Sequence, residues 1–182
     1  MKRLVFVALV VVRCVLGESA VSVYDIQFVK DPCASDWSPY LGKSVKLSEV
    51  YVTSVANSRF TISDSAKVAA WSGVVVDVPR LAPDLIQEGQ RVTVSGRVME
   101  IMGETRVVDV RELLVHAEYD PAAIVPADVT TESLSVTAEC DQERWEGALV
   151  RATAAEILSD PDTTGSFIVD DGSGPGPRRA VL

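Results

Sequence analysis

Few side chains in this 182-residue chain have the types and spacing that bond-making chemistry requires. His116 is the one histidine, so neither a serine-type triad nor a zinc site of several histidines can be built in the ordinary way. Glu100, Glu104, Asp109 and Glu112 offer carboxylates for acid–base hydrolysis, but nothing nearby would drive two carboxyl pKa values apart, and strand faces carry such charges for solubility. The run Asp170-Asp171-Gly172-Ser173-Gly174 has carboxylates and turn carbonyls that suit Ca²⁺. It lacks the spaced acidic ligands and closing glutamate of a calcium loop, and reads as a turn. Cys33 and Cys140 have no Cys-x-x-Cys spacing for metal or redox work. No metal or other cofactor is expected, and the chain reads as non-enzymatic.

What remains is non-covalent chemistry. Trp71 is the best candidate for an outward stacking ring, with Arg59 and Thr61 beside it and Arg91 and Arg97 on a further strand. Stacking a base on such a ring contributes about 1–3 kcal/mol, and guanidinium groups position phosphates. The competing use of the same residues is structural. Trp71 would then cap a barrel end, and the arginines, with Arg106 and Arg111, would pair with Glu104, Asp109 and Glu112 across strands.

Strands must position these side chains, and the chain carries its strand pattern twice. Tyr40, Gly42, Val45, Leu47, Val50, Val52 and then Phe60 to Asp64 are echoed by Trp145, Gly147, Val150, Ala152, Ala155, Ile157 and then Phe167 to Asp171. In each copy the apolar positions keep one parity and then switch to the other. A parity switch inside a strand predicts a β-bulge, which a long first strand needs if it is to bend round and close a small barrel.

The first copy continues with strands predicted near 71–78, 90–101 and 104–114, after those near 44–56 and 59–64. Five strands are the count of an OB-fold, a Greek-key barrel. Val74, Val76 and Val78 take the core side, with Phe60 and Ile62, leaving Trp71, Gly73, Val75 and Asp77 outward beside Arg59, Thr61 and Ser63. Arg91 and Arg97 share the polar face of the fourth strand with Thr93 and Ser95. Met102-Gly103-Glu104 marks a hairpin, and Pro79 and Pro83 leave room only for a short turn before Gln90. Ligands of OB barrels cross the second and third strands between the loops that join strands one to two and four to five. Here both loops are short, at Asn57-Ser58 and 102–104.

The expected architecture is therefore all-β, with a five-stranded OB-like Greek-key barrel at 40–115 followed by the start of a second, truncated OB-like module at 145–182. The second module offers strands near 148–158 and 165–170 and then meets Gly172-Ser-Gly-Pro-Gly-Pro177, which leaves three strands unaccounted for and favours truncation. Residues 18–39 lead into the barrel, with a strand expected over Val21 to Val29 and a turn-rich stretch from Asp31 to Pro39. Residues 116–144 read as a packed connector anchored by Tyr119, Ile124, Val129 and Leu134, with a short helix begun by Thr130 or Thr131.

Lys2 and Arg3 precede an apolar run from Leu4 to Val12, the pattern of a secretory leader over residues 1–17. The run is too short to span a bilayer, so no membrane span remains after leader removal, and the protein is expected in the cell envelope or outside the cell. Removal leaves 14 basic and 26 acidic residues, a net charge of −12. Residues 40–115 carry 9 basic and 9 acidic residues, whereas 116–171 carry 2 and 13. An anionic ligand would choose the first module. In an oxidising compartment a Cys33–Cys140 bridge would close a loop of about 100 residues, adding roughly 4–5 kcal/mol in the chain-entropy model and pinning module to module. The alternative is two separate thiols.

Val23-Tyr-Asp-Ile-Gln-Phe28, Asp31-Pro32, Ser38-Pro-Tyr40, Gly42, Trp71-Ser-Gly73, Gly89-Gln-Arg-Val-Thr-Val-Ser-Gly96, Trp145-Glu-Gly147 and Leu149-Val-Arg151 form a wider pattern. Over residues 21–171 it resembles the tandem OB-like modules of exported bacterial proteins, which often stand before endonuclease/exonuclease/phosphatase-type domains. The resemblance implies an adaptor or nucleic-acid-binding role. Nuclease activity does not carry over, because no hydrolase domain is present in these residues. Two functions follow as expectations: a binding module for single-stranded nucleic acid or an oligosaccharide, gripped around Arg59, Trp71 and Arg97, or a structural adaptor that docks or spaces a neighbouring catalytic domain.

Overall fold

The structure is a computed structural model that describes residues 19–56, 58–79, 85–135, 140–160, 163 and 167–174. The leader, Asn57, Pro83 and the glycine–proline run beyond Gly174 lie outside the described residues.

The first unit is a closed barrel of five strands: β2 (Ser44–Ala56), β3 (Arg59–Ser63), β4 (Gly73–Asp77), β5 (Gln90–Glu100) and β6 (Thr105–Tyr119). Their order round the barrel is β2-β3-β4-β6-β5, and β5 pairs back to β2 to close it. Only β4 and β6 run parallel. This is the OB arrangement expected from the strand count. A sixth strand, β1 (Ser19–Ala20), lies parallel to the start of β2.

The parity switch in β2 is a bulge, as the sequence predicts. Register on β5 slips between Leu47 and Val50, and Glu49 takes a left-handed φ of 56° within the slip. Its amide leaves the ladder and donates to Thr93 Oγ1 at 3.2 Å, so the irregularity strands no donor. Val45, Leu47, Val50 and Val52 therefore all reach the core despite their change of parity, meeting Phe60, Ile62, Val74, Val76, Val92, Val94, Val98 and Val107. Each such side chain contributes about 1.5–3 kcal/mol by leaving water. Val75, expected outward, is buried as well, so β4 is covered on both faces. The hairpin at Met102-Gly103 has both φ angles positive (57° and 74°), closing β5 on β6 in the sense that matches strand twist.

One expected strand is a helix. After β1 the chain forms α1 (Val23–Gln27) instead of the strand predicted over Val21 to Val29. Ser22 and Asp25 make a capping box, each side chain bonding the other's backbone amide. Asp64, at the end of β3, accepts the free amides of Val23 and Tyr24 at 2.7 and 2.8 Å. Val23 and Ile26, three apart on one helical face, plug the barrel end. The alternation that suggested a strand is matched by a helical spacing, and the barrel's open end selects the helix.

The second unit repeats this construction further than the sequence shows. β7 (Ala127–Asp128) runs parallel to β8 (Val150–Arg151) as β1 does to β2. Val129 N donates to Arg151 C=O as Val21 N does to Lys46 C=O. Thr130 Oγ1 receives the Ser133 amide, as Ser22 receives that of Asp25, and a single 3₁₀ turn (Glu132–Leu134) holds the place of α1. This turn is the short helix expected near Thr130. Gly147 and Ala154 have left-handed φ like Gly42 and Glu49. β9 (Glu156–Ile157) and β10 (Val169–Asp170) pair Ile157 with Val169, the positions at which Val52 meets Ile62. Asp171 accepts the Thr131 amide as Asp64 accepts that of Val23. The repeat thus reaches back to Ala127, inside the stretch that reads as a connector.

Candidate binding face

The five candidate residues do not share one patch. β3 sets Arg59 across from Asp77 and Ser63 across from Gly73. Trp71, two residues before β4, therefore lies beyond the opposite end of the β3–β4 ribbon from Arg59, more than about 13 Å along the strand. Arg91 and Arg97 face Tyr51 and Ser44 of β2, a strand neighbour that Trp71 does not share.

Each arginine also has an acidic partner. Arg59 lies 3.8 Å from Glu104, Arg91 3.1 Å from Glu49, and Arg97 2.5 Å from Asp109. Arg106 joins the first group, bonding Asp77 at 3.0 Å and Glu104 at 2.6 Å. Burial works against its charge, but the two carboxylates hold its pKa above the ordinary value. Thr61 shares a 2.8 Å hydrogen bond with Thr53. The strand acids are occupied in the same way: Glu112 bonds Lys46 and Ser95, which lower its pKa, and Glu100 accepts from Thr105 and the Ser38 amide. His116 pairs with Thr93 at 3.1 Å. Among the described residues no group of three His, Cys, Asp or Glu could hold a metal ion.

Trp71 belongs to an aromatic cluster that sequence reasoning missed. Its ring meets Phe28 edge-on at 5.7 Å, and Phe28 stacks on Tyr24 at 5.0 Å. Tyr24 and Phe28 are 45% and 40% exposed. Four residues apart on one helical face, these two rings carried a signal, but only for a reader expecting a helix there. Trp71 has a φ of 63°, unusual for a bulky residue, and its amide donates to Arg144 C=O of the second unit at 2.7 Å.

That bond opens the junction between the units. Cys33 and Cys140 are joined in a disulfide with Cα atoms 5.3 Å apart. Gly73 packs so tightly on the turn at Gly147 that a Cβ there would collide with the Gly147 carbonyl. Gln27 Nε2 donates to Gly73 C=O at 2.6 Å, and Glu146 Oε1 accepts the Thr105 amide at 2.8 Å. Burial pushes the Glu146 carboxyl up to about 8, the Thr105 amide opposing and Glu143 and Glu100 adding to the shift. Burial, with Asp36 and Glu100, pushes Glu143 up to about 7. The run at Asp170 is the predicted turn: Asp170 accepts the Gly172 amide at 2.8 Å and Asp171 that of Ser173 at 3.0 Å.

Among the described residues, no helix is long and apolar enough to cross a membrane. No family model matches the chain. No curated protein matches it either. Among solved structures the chain is similar to the hypothetical protein ygiW from E. coli at 13% identity, covering 55% of this chain and 90% of that one with a TM-score of 0.33. The OB assignment rests on the strand order and barrel closure described above.

Proposed function

We propose that the chain is a non-enzymatic exported module of OB architecture that serves as a structural adaptor, docking or spacing a neighbouring catalytic domain such as a secreted nuclease. The observation that carries this reading is that the residues best suited to grip a ligand are used inside the molecule. Arg59, Arg91 and Arg97 each face a carboxylate, and the Trp71 amide and ring are engaged by Arg144 and Phe28. A phosphate backbone would have to displace three acids from a barrel with no excess of positive charge. The disulfide and the leader pattern support export. The tight junction at Gly73 and Gly147 suits a part that fixes distance and angle.

A second reading, a binding module for an oligosaccharide or single-stranded nucleic acid, is favoured by the partly exposed rings of Tyr24 and Phe28 beside Trp71. One titration separates the two. Tryptophan fluorescence is followed as short single-stranded DNA, and separately an oligosaccharide, is added at low salt, beside Trp71→Ala. The adaptor reading expects no saturable change with either ligand. Saturable quenching lost in Trp71→Ala would overturn it, and salt sensitivity would identify phosphate contact. The spacing role is tested by NMR residual dipolar couplings: one alignment tensor should fit both units, whereas independent tensors would refute a rigid spacer.

A further inference from the structure

Thr105, at the start of β6 and 1% exposed, is held by carboxylates from both units. Its amide donates to Glu146 Oε1 of the second unit at 2.8 Å, and its hydroxyl donates to Glu100 Oε1 of the barrel. The Ser38 amide reaches the same Glu100 oxygen at 3.2 Å, and Gln27 Nε2 lies 3.4 Å from Glu146 Oε1. Two carboxylates gathered on one buried residue do not ionise independently, and one keeps its proton where an ordinary carboxyl has lost it. Burial, opposed by the Thr105 amide and helped by Glu143 and Glu100, makes that one Glu146, pushed up to about 8.

The charges around Glu146 are of its own sign. Glu143, from the same 3₁₀ turn (Asp141–Trp145), and Glu100, from β5, act on it directly, and Asp36, from the segment leading into the barrel, acts with Glu100 on Glu143. α1 contributes the neutral Gln27, and β4 the neutral Gly73. The bases of the neighbouring elements are engaged elsewhere, Arg106 by Asp77 and Glu104 and Arg144 by Asp141. Closure of the seam is therefore fully supported below the ordinary value of 4.5 and loses that support as pH rises through about 8. Two other attachments carry no titratable group. Val125 shares main-chain bonds with Ala66 and Val68 of the barrel at 2.8 and 2.9 Å, and Cys140 is joined to Cys33.

We propose that the Glu146–Thr105–Glu100 contact is a pH-operated catch between the two units. With Glu146 protonated the seam is closed. With Glu146 and Glu100 both ionised the second unit turns away from β6 and releases the Trp71–Arg144 bond, while Val125 and the disulfide keep it attached. The catch deepens the spacer reading and rests on it, since the angle that the chain fixes is then set in acid and neutral media and released in alkaline ones.

The test compares the full, disulfide-bonded chain at about pH 5 and about pH 9.5, on either side of the transition. Cα–Hα residual dipolar couplings are measured, because their protons do not exchange with water. One alignment tensor should fit both units at the lower pH. Two should be needed at the higher one, with couplings inside the barrel still fitting the barrel's own tensor. The Glu146 Cδ shift should titrate with the same midpoint as the loss of the common tensor. Glu146→Gln, which keeps an acceptor for Thr105 and carries no charge, should hold one tensor at both pH values. The parent comparison alters no residue, so misfolding of the variant cannot mimic the result. A common tensor at both pH values would overturn the catch and leave the spacer reading standing. Independent tensors already at the lower pH would overturn the spacer reading, and the catch with it. Opening of Glu146→Gln at the higher pH, a Glu146 midpoint apart from that of the opening, or loss of the barrel's own fit would also overturn the catch.

Discussion

Val52 and Ile157 hold equivalent places in the two units, each opposite a β-branched partner in the next strand, yet Val52 is 0% exposed and Ile157 65%. The local geometry is shared: a parallel lead-in strand, a glycine with left-handed φ, a bulge residue, one antiparallel register and an aspartate that caps a helical turn. What differs is coverage. In the first unit β4, β5 and β6 close over the apolar side chains, whereas among the described residues the second unit has only the paired strands. Among the described residues, then, the two units share their local bonding and differ in burial.

Breaking the link between the units should have the largest effect. Replacing Cys33 and Cys140 together by serine removes a cross-link between residues 107 apart in sequence, and the chain-entropy model puts the loss at about 4–5 kcal/mol. Hydrogen exchange should show the loss concentrated in the second unit, with the β2–β6 barrel retaining most of its protection. Equal deprotection of both units would mean that the barrel too depends on the bridge.

Next in size is the contrast between the cores. Phe60→Ala should cost about 3–5 kcal/mol in chemical denaturation, through lost burial and the cavity left behind. Ile157→Ala should change stability by no more than about 0.5 kcal/mol. Similar losses at the two positions would show that Ile157 is covered in solution.

The junction should be sensitive to pH. The Glu146 carboxyl, raised from the ordinary 4.5 to about 8, binds its proton more tightly in the folded than in the unfolded chain. Its contribution is therefore full below pH about 4.5 and is lost as pH rises through about 8. Glu143, raised to about 7, acts in the same direction over a narrower window. Melting temperatures of Glu146→Gln, which keeps an acceptor for Thr105, should fall less between pH 5 and 9 than those of the parent. A parallel pH profile would remove Glu146 from the linkage.

The smallest effect compares the two capping aspartates. Asp64→Asn should cost about 1 kcal/mol by weakening the hold on the amides of α1. Asp171 is held well below the usual carboxylate range by hydrogen bonds from Ser173 and then Thr131. Its contribution is present above the unfolded value of 3.8 and is lost as pH falls through the lower folded value. An NMR titration showing Asp171 at an ordinary carboxylate pKa would show that the Ser173 and Thr131 hydrogen bonds do not hold it in solution.

The barrel was legible because its strands announce themselves locally. Alternation at Val92 and Val94, the parity switch between Leu47 and Val50, and the turn at Met102-Gly103 each reflect constraints within a few residues. The helix was less legible because Val21 and Val23, and then Ile26 and Phe28, each alternate like a strand, while the three-residue spacing of Val23 and Ile26 that breaks the alternation fits a helical face and is backed by the Ser22–Asp25 capping box. The candidate face was hardest. Nothing in the spacing of Arg59, Arg91 and Arg97 tells that Glu104, Glu49 and Asp109 wait across the strands, since those partners are brought close by pairing and bulge register.

Sequence alone therefore determined the strand order's raw material, the repeat and the two cysteines, because periodicity and residue type act over short stretches of chain. Tertiary structure decided that Cys33 and Cys140 meet, that Trp71 leans on Phe28 and Arg144, that the arginines are neutralised, and that Glu146 is buried. Those outcomes depend on which distant segments close the barrel and which face of it the second unit occupies, and each is set by burial and pairing between residues far apart in sequence.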